Sequence, residues 1–172
     1  MILAIDVSST KCGFCVLDKE EKIVFKDVLF FNSKESLIQR VSKFSEFCVN
    51  SLNFEIEKVI VEEPFISVTG GAGQAWTTAI LHKFNAMCCY IIYQIFKQEP
   101  IMINPMSARS KLGIKIPRGL KGKHKKQVII DFVCNYFKDQ FSYEKTKFGN
   151  YIKGTDDICD AIILALYGLK FT

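Results

Sequence analysis

Proline and glycine are scarce in this 172-residue chain, at four and ten residues. With 49% apolar residues, that scarcity excludes global disorder and leaves a core large enough for one domain spanning 1–172. No apolar run is long enough to cross a bilayer. The longest, around Ala86 to Phe96, is short and interrupted, so no membrane is expected as a partner. No secretory leader precedes the apolar stretch MILAIDV, and the cysteines number seven, an odd count. The expectation is an intracellular protein with reduced thiols, cytoplasmic or nucleoid-associated. Internal repeats, low-complexity tracts and linkers that would divide domains are also missing.

The most telling absence is local. From Pro100 to Ile130 there is no carboxylate, while eight cations fall there: Arg109, Lys111, Lys115, Arg118, Lys121, Lys123, Lys125 and Lys126. This segment contributes +8 to a net charge of +5, so the rest of the chain is acidic. Charge concentrated in this way creates a field for a polyanion. The stretch SKLGIKIPRGLKGKHKK is punctuated by glycine and has no amphipathic stripe, which favours nucleic acid over a membrane surface. Its few aromatics argue against stacking on single-stranded bases. The bland alternative is a solvated surface segment, although eight cations without an anion favour phosphate contact.

The acids gather elsewhere. Asp6 ends the apolar run ILAID, Glu62 ends KVIVE, and Asp156, Asp157 and Asp160 open the segment TDDICDAIILAL. In strands at 2–7 and 58–62, Asp6 shares a face with Ile2 and Ala4, and Glu62 shares one with Ile60. An acid at the end of a buried strand is costly to desolvate unless a cation compensates it, and oxygen-rich sites suit magnesium or manganese. Asp6 has a structural alternative as a cap of the turn SST. Glu63 points to the opposite face and reads as a solvated acid. Thr155 is the expected N-cap of the last helix, and the helix dipole accounts for Asp156. Asp157 and Asp160 lie three apart on one helical face, where like charges call for a bridging cation.

Strands are expected at 2–7, 12–18, 23–31, 58–62 and 100–104. Helices are expected after Asn32, which forms a capping-box pattern with Glu35, and at about 74–97, 123–138 and 155–169. The order βββαβαβαα predicts an α/β fold with a mixed five-stranded sheet flanked by helices. Ligands in such sheets gather at the carboxyl ends of central strands. Cys12 and Cys15 have C-x-x-C spacing, but within a strand that offset sends them to opposite faces, against zinc or redox chemistry. The other cysteines read as small core residues.

Three ordered motifs then resemble the RuvC family of Holliday junction resolvases, in the RNase H-like superfamily. IDVSSTKCGF carries Asp6, a serine turn and the Gly13–Phe14 pair, with Val7–Ser8 where bacterial members usually have Pro-Gly. VEEPF matches the second acidic motif through Glu62, and Asp157-Ile-Cys-Asp160-Ala161 matches the third. The resemblance spans nearly the whole chain and implies an RNase H-like fold. It also implies a magnesium-dependent crossover junction endodeoxyribonuclease acting as a homodimer on four-way DNA junctions. Asp6, Glu62, Asp157 and Asp160 would hold two Mg²⁺ ions (Mn²⁺ as substitute) about 4 Å apart, and cleavage would leave 5′-phosphate and 3′-hydroxyl nicks. Lys125 in HKKQVI would contact the phosphate, and a second family lysine corresponds to Arg109 or Lys111. Phe65 matches an aromatic that wedges into the junction in bacterial relatives, with core packing as its alternative. The apolar helix from Gln74 to Lys97 would supply the dimer face. Length and composition suit a phage or viral member, which would act in the host cell cytoplasm. The closest rival is a broader flap or replication-fork nuclease, and a non-enzymatic rival is a junction-binding protein without cleavage. Actin-like kinases share the opening Asp-x-x-Ser-Thr turn but need a second, duplicated domain.

Overall fold

The computed structural model describes residues 1–64 and 72–172. Its elements are strands β1 (Ile2–Val7), β2 (Lys11–Leu17), β3 (Ile23–Phe30), β4 (Lys58–Glu62) and β5 (Ile101–Ile103). The helices are α1 (Leu37–Ser51), α2 (Ala72–Phe96), α3 (Pro105–Lys111), α4 (Gly122–Phe137) and α5 (Thr155–Phe171). The five strands form one mixed sheet in the order β3-β2-β1-β4-β5, antiparallel among β1, β2 and β3 and parallel among β1, β4 and β5. The α/β architecture expected from the chain is present. Among the described residues no helix is long and apolar enough to cross a membrane.

The sheet separates two cores. On one face Leu3, Ile5, Val7, Phe14 and Val16 pack with Phe44 and Cys48 of α1 and with Phe84, Cys88 and Ile92 of α2. On the other, Ile2, Ala4, Cys15, Leu17 and Ile60 pack with Ala108 of α3, with Ile130 and Val133 of α4, and with the apolar run of α5. Cys12 and Cys15 fall into opposite cores, as strand alternation requires. All seven cysteines are free.

Three local expectations are corrected. The N-cap of α1 is Ser36, whose hydroxyl accepts from the Gln39 N–H while the Gln39 side chain accepts from the Ser36 N–H. Asn32 and Glu35 do pair, since the Asn32 N–H donates to the Glu35 carboxylate at 2.7 Å, but they close a turn one step before the helix. Two capping patterns compete there, and the one adjoining the apolar repeat starts the helix. Second, Gly154 rather than Thr155 caps α5, with φ +97. A β-carbon at Gly154 would sit 2.7 Å from Val28 Cγ1, so both the backbone angle and the close approach to β3 demand glycine. Third, the basic tract contains a helix, α3. The Asn104 side chain accepts from the Met106 and Ser107 N–H groups, and Pro105 holds the first helical position.

Candidate active site

The register Ala4↔Ile60 places Asp6 level with Glu62 at the carboxyl ends of adjacent parallel strands, on the face that α5 covers. The first turns of α5 carry Asp157 and Asp160 to the same place. Gly13, opposite Asp6 on β2, makes this approach possible: a β-carbon there would collide with the Asp157 carbonyl. From the other side the buried Asn85 of α2 donates its amide to the Glu62 carbonyl at 3.1 Å and fixes the end of β4.

Electrostatics show that the four acids form one group. Burial, and then the charges of Glu62, Asp160 and Asp157, push the Asp6 carboxyl well above the usual carboxylate range, and Asp6 shares a hydrogen bond with Glu62. Burial also raises Glu62, with the Asp6 hydrogen bond opposing, and raises Asp160 against the pull of Arg109. Asp157 is raised by burial, with Lys11 opposing. Asp156 differs. It is buried, yet its ion pairs with Lys126 and Lys11 outweigh desolvation and hold it below the ordinary value. Only 8% of its side chain is exposed, so it is not the simple dipole-facing surface acid expected of a first turn.

Cations already meet two of these acids. The Arg109 guanidinium donates to Asp160 Oδ1 at 2.7 Å, and the Lys11 ammonium pairs with Asp157. Asp157 Oδ2 is buried and rests on that ion pair, and among the described residues Arg109 Nε is buried without an acceptor. Among the described residues, no three carboxylate, imidazole or thiolate groups are disposed to bind one metal ion as the side chains stand. The donor set itself, oxygen-only and poorly compensated, fits a hard divalent cation.

The basic tract lies next to this group. Lys111, Lys115, Arg118, Lys121 and Lys123 are exposed, and Lys125 is half-buried. Arg109, Lys115 and Lys125 line an open cavity of about 460 Å³ together with the apolar Met106, Ile114, Ile116 and Leu120. Lys126 is tied to Asp156 rather than free. Glu63 is exposed, and Phe65 lies outside the described residues. Sequence reasoning missed Lys11, Asp156 as an ion-pair hub, and Asn85. A signal for Lys11 was available: it is in phase with Gly13, Cys15 and Leu17, the positions of β2 that face α5.

The fold is shared with solved junction resolvases. Thermus thermophilus RuvC in complex with a Holliday junction substrate matches at TM-score 0.64 and 16% identity, over 96% of this chain and 90% of that one. A second T. thermophilus RuvC structure matches at 0.62 and 16%, over 96% and 91%. The yeast mitochondrial Holliday junction resolvase Ydc2 matches at 0.50 and 14%, over 98% and 77%. No family model and no curated protein sequence matches the chain. The chain has the RuvC-type, RNase H-like fold.

Proposed function

We propose that this protein is a metal-dependent endonuclease that cuts four-way DNA junctions. The observation that carries the reading is the meeting of Asp6, Glu62, Asp157 and Asp160, from three elements far apart in sequence, as one mutually repelling group at the carboxyl ends of β1 and β4. The fold shared with RuvC supports it, as does the cationic tract at the edge of the group.

In this reading the four acids hold two Mg²⁺ ions, or Mn²⁺ in their place. Bound metal would supply an activated water and charge stabilisation for an in-line displacement at phosphorus. The protein's own part is positioning. β1 and β4 fix two carboxylates in register, Gly13 lets α5 deliver two more, and Asn85 holds the Glu62 backbone. Lys125 faces the adjoining cavity, where it would neutralise a strand phosphate. The products would be a 5′-phosphate and a 3′-hydroxyl.

A junction has two strands to cut, which calls for two copies of the chain. The outer face of α2 suits that role: Tyr90 and Tyr93 are 63% and 47% exposed, beside the exposed Met102. A non-catalytic junction-binding protein is the second reading, favoured by the cations already paired with Asp157 and Asp160.

The test is cleavage of a four-way junction, a Y-fork and a linear duplex, with magnesium and then with chelator. Magnesium-dependent paired nicks in the junction alone support the proposal, and equal cutting of the fork points to a broader branched-DNA nuclease. Asp6→Asn should abolish cutting while junction binding persists. Cutting near the wild-type rate by that variant would remove the metal assignment.

A further inference from the structure

Asp156 and Asp157 are neighbours in the first turn of α5, and two lysines from different elements converge on them. Lys126 of α4 pairs with Asp156 Oδ2. Lys11 of β2 pairs with Asp157 Oδ2, and its ammonium is also 3.7 Å from Asp156 Oδ2. The result is an alternating row, Lys126–Asp156–Lys11–Asp157, that ends at a residue of the proposed metal site. Both carboxylates are buried, at 8% and 11% side-chain exposure, and the Lys11 side chain is only 20% exposed. The phenol of Tyr151 lies close enough to feel Asp156, Lys126 and Lys11. On the far side of the group Asp160 is met by Arg109, so Lys11 is the ammonium that attends Asp157.

A cation fixed on Asp157 would repel a divalent ion at the same carboxylate. Asp156 offers a way out. It is not among the four acids that match the nuclease motifs, and it already stands within 4 Å of the ammonium. A lysine head on a flexible four-carbon stem can change partners over such a distance without backbone motion.

We propose that Lys11 is a built-in counter-ion of the metal site, which neutralises Asp157 when no metal is bound and transfers to Asp156 when a divalent cation enters. Asp156 is thereby a positioning residue: it receives the displaced ammonium and keeps it buried beside the site, sharing its Oδ2 between Lys11 and Lys126. The inference rests on the metal-dependent reading above. It explains why a pair of lysines and an additional buried aspartate accompany an otherwise complete set of four acids.

Calorimetric titration of Mn²⁺ into the metal-free full-length chain, without DNA, tests it. Lys11→Met should bind Mn²⁺ roughly tenfold tighter than wild type, because a competing charge is removed. Asp156→Asn should bind several-fold more weakly, because the displaced ammonium loses its second partner. In the double variant the Asp156→Asn penalty should shrink by about threefold or more, since no ammonium remains to be received. Equal penalties in both backgrounds would overturn the transfer, because a simple field effect of each charge is additive. Wild-type affinity, within about twofold, in Lys11→Met would overturn competition. Wild type that binds no Mn²⁺ at all would instead remove the metal reading itself, and this inference with it. Should Lys11→Met fail to fold by thermal melting, Lys11→Gln, with a polar tip, serves the same cycle.

Discussion

At its C-terminal end α5 carries Lys170, whose ammonium meets Glu21 Oε1 at 2.6 Å with both side chains about one-third exposed. At its N-terminal end the same helix carries Asp156, Asp157 and Asp160, with side chains 8%, 11% and 20% exposed, beside Asp6 and Glu62 of the sheet. The first arrangement is an ordinary surface ion pair, screened by water and of small value. The second concentrates like charges in a poorly solvated place, where for Asp6, Glu62, Asp157 and Asp160 desolvation exceeds what pairing returns. Stability explains the C-terminal pair and does not explain the N-terminal group. Buried, mutually shifted acids of this kind cluster at functional sites, which is why the proposed reading attaches to one end of the helix and not the other.

Variants should separate the two ends, and the largest expected effect is catalytic. Asp157→Asn should lower junction cleavage at least about a thousandfold, while thermal melting of the metal-free protein stays level or rises. A large loss of stability with cleavage retained would make Asp157 a structural acid like Glu21. Next, Gly13→Val should destabilise by about 3 kcal/mol or more in urea unfolding, since the α5 backbone cannot retreat without opening the core. Arg109→Met removes the partner of Asp160 and should cost about 2 kcal/mol, a penalty that divalent metal should reduce. Neutralising Lys121, Lys123 and Lys125 together should weaken junction binding and lower its logarithmic salt slope by about 3, one unit per lost phosphate contact. An unchanged slope would detach the tract from DNA.

The smallest effect belongs to the C-terminal pair. Lys170→Met should cost less than about 1 kcal/mol, and less still at high salt. Its pH dependence has a definite sign. Hydrogen bonds from Lys170 and Tyr136 hold the Glu21 carboxyl below its ordinary value. The unfolded chain therefore takes up the proton first as pH falls, so the contribution is present above the ordinary glutamate range and fades as pH drops through the lowered folded value. Acid melting curves of wild type and Lys170→Met should converge there. A gap that widens in acid would reverse the assignment.

Much of this was legible in the linear chain. Strand alternation alone put Asp6 in phase with Ile2 and Ala4, Glu62 in phase with Ile60, and Cys12 and Cys15 on opposite faces. The helical repeat placed Asp157 beside Asp160, and charge placement marked the basic tract. Local chemistry was less secure where two signals competed, as at Asn32–Glu35 and Ser36–Gln39, or where proline and asparagine started a short helix inside a segment that otherwise resembles loop.

Periodicity, end residues and charge spacing are properties of neighbours along the chain, so the sequence by itself determined the order of every strand and helix except α3, the faces of β1, β2 and β4, and four of the five clustered acids. The partners of those acids are a different matter. Lys11 is about 145 positions from Asp156 and Asp157, Arg109 is 51 from Asp160, and Lys126 is 30 from Asp156. Only the packing of α3, α4 and α5 on one face of the sheet decided those pairings, because ion-pair energies depend on separation in space and on burial, neither of which is written in local order.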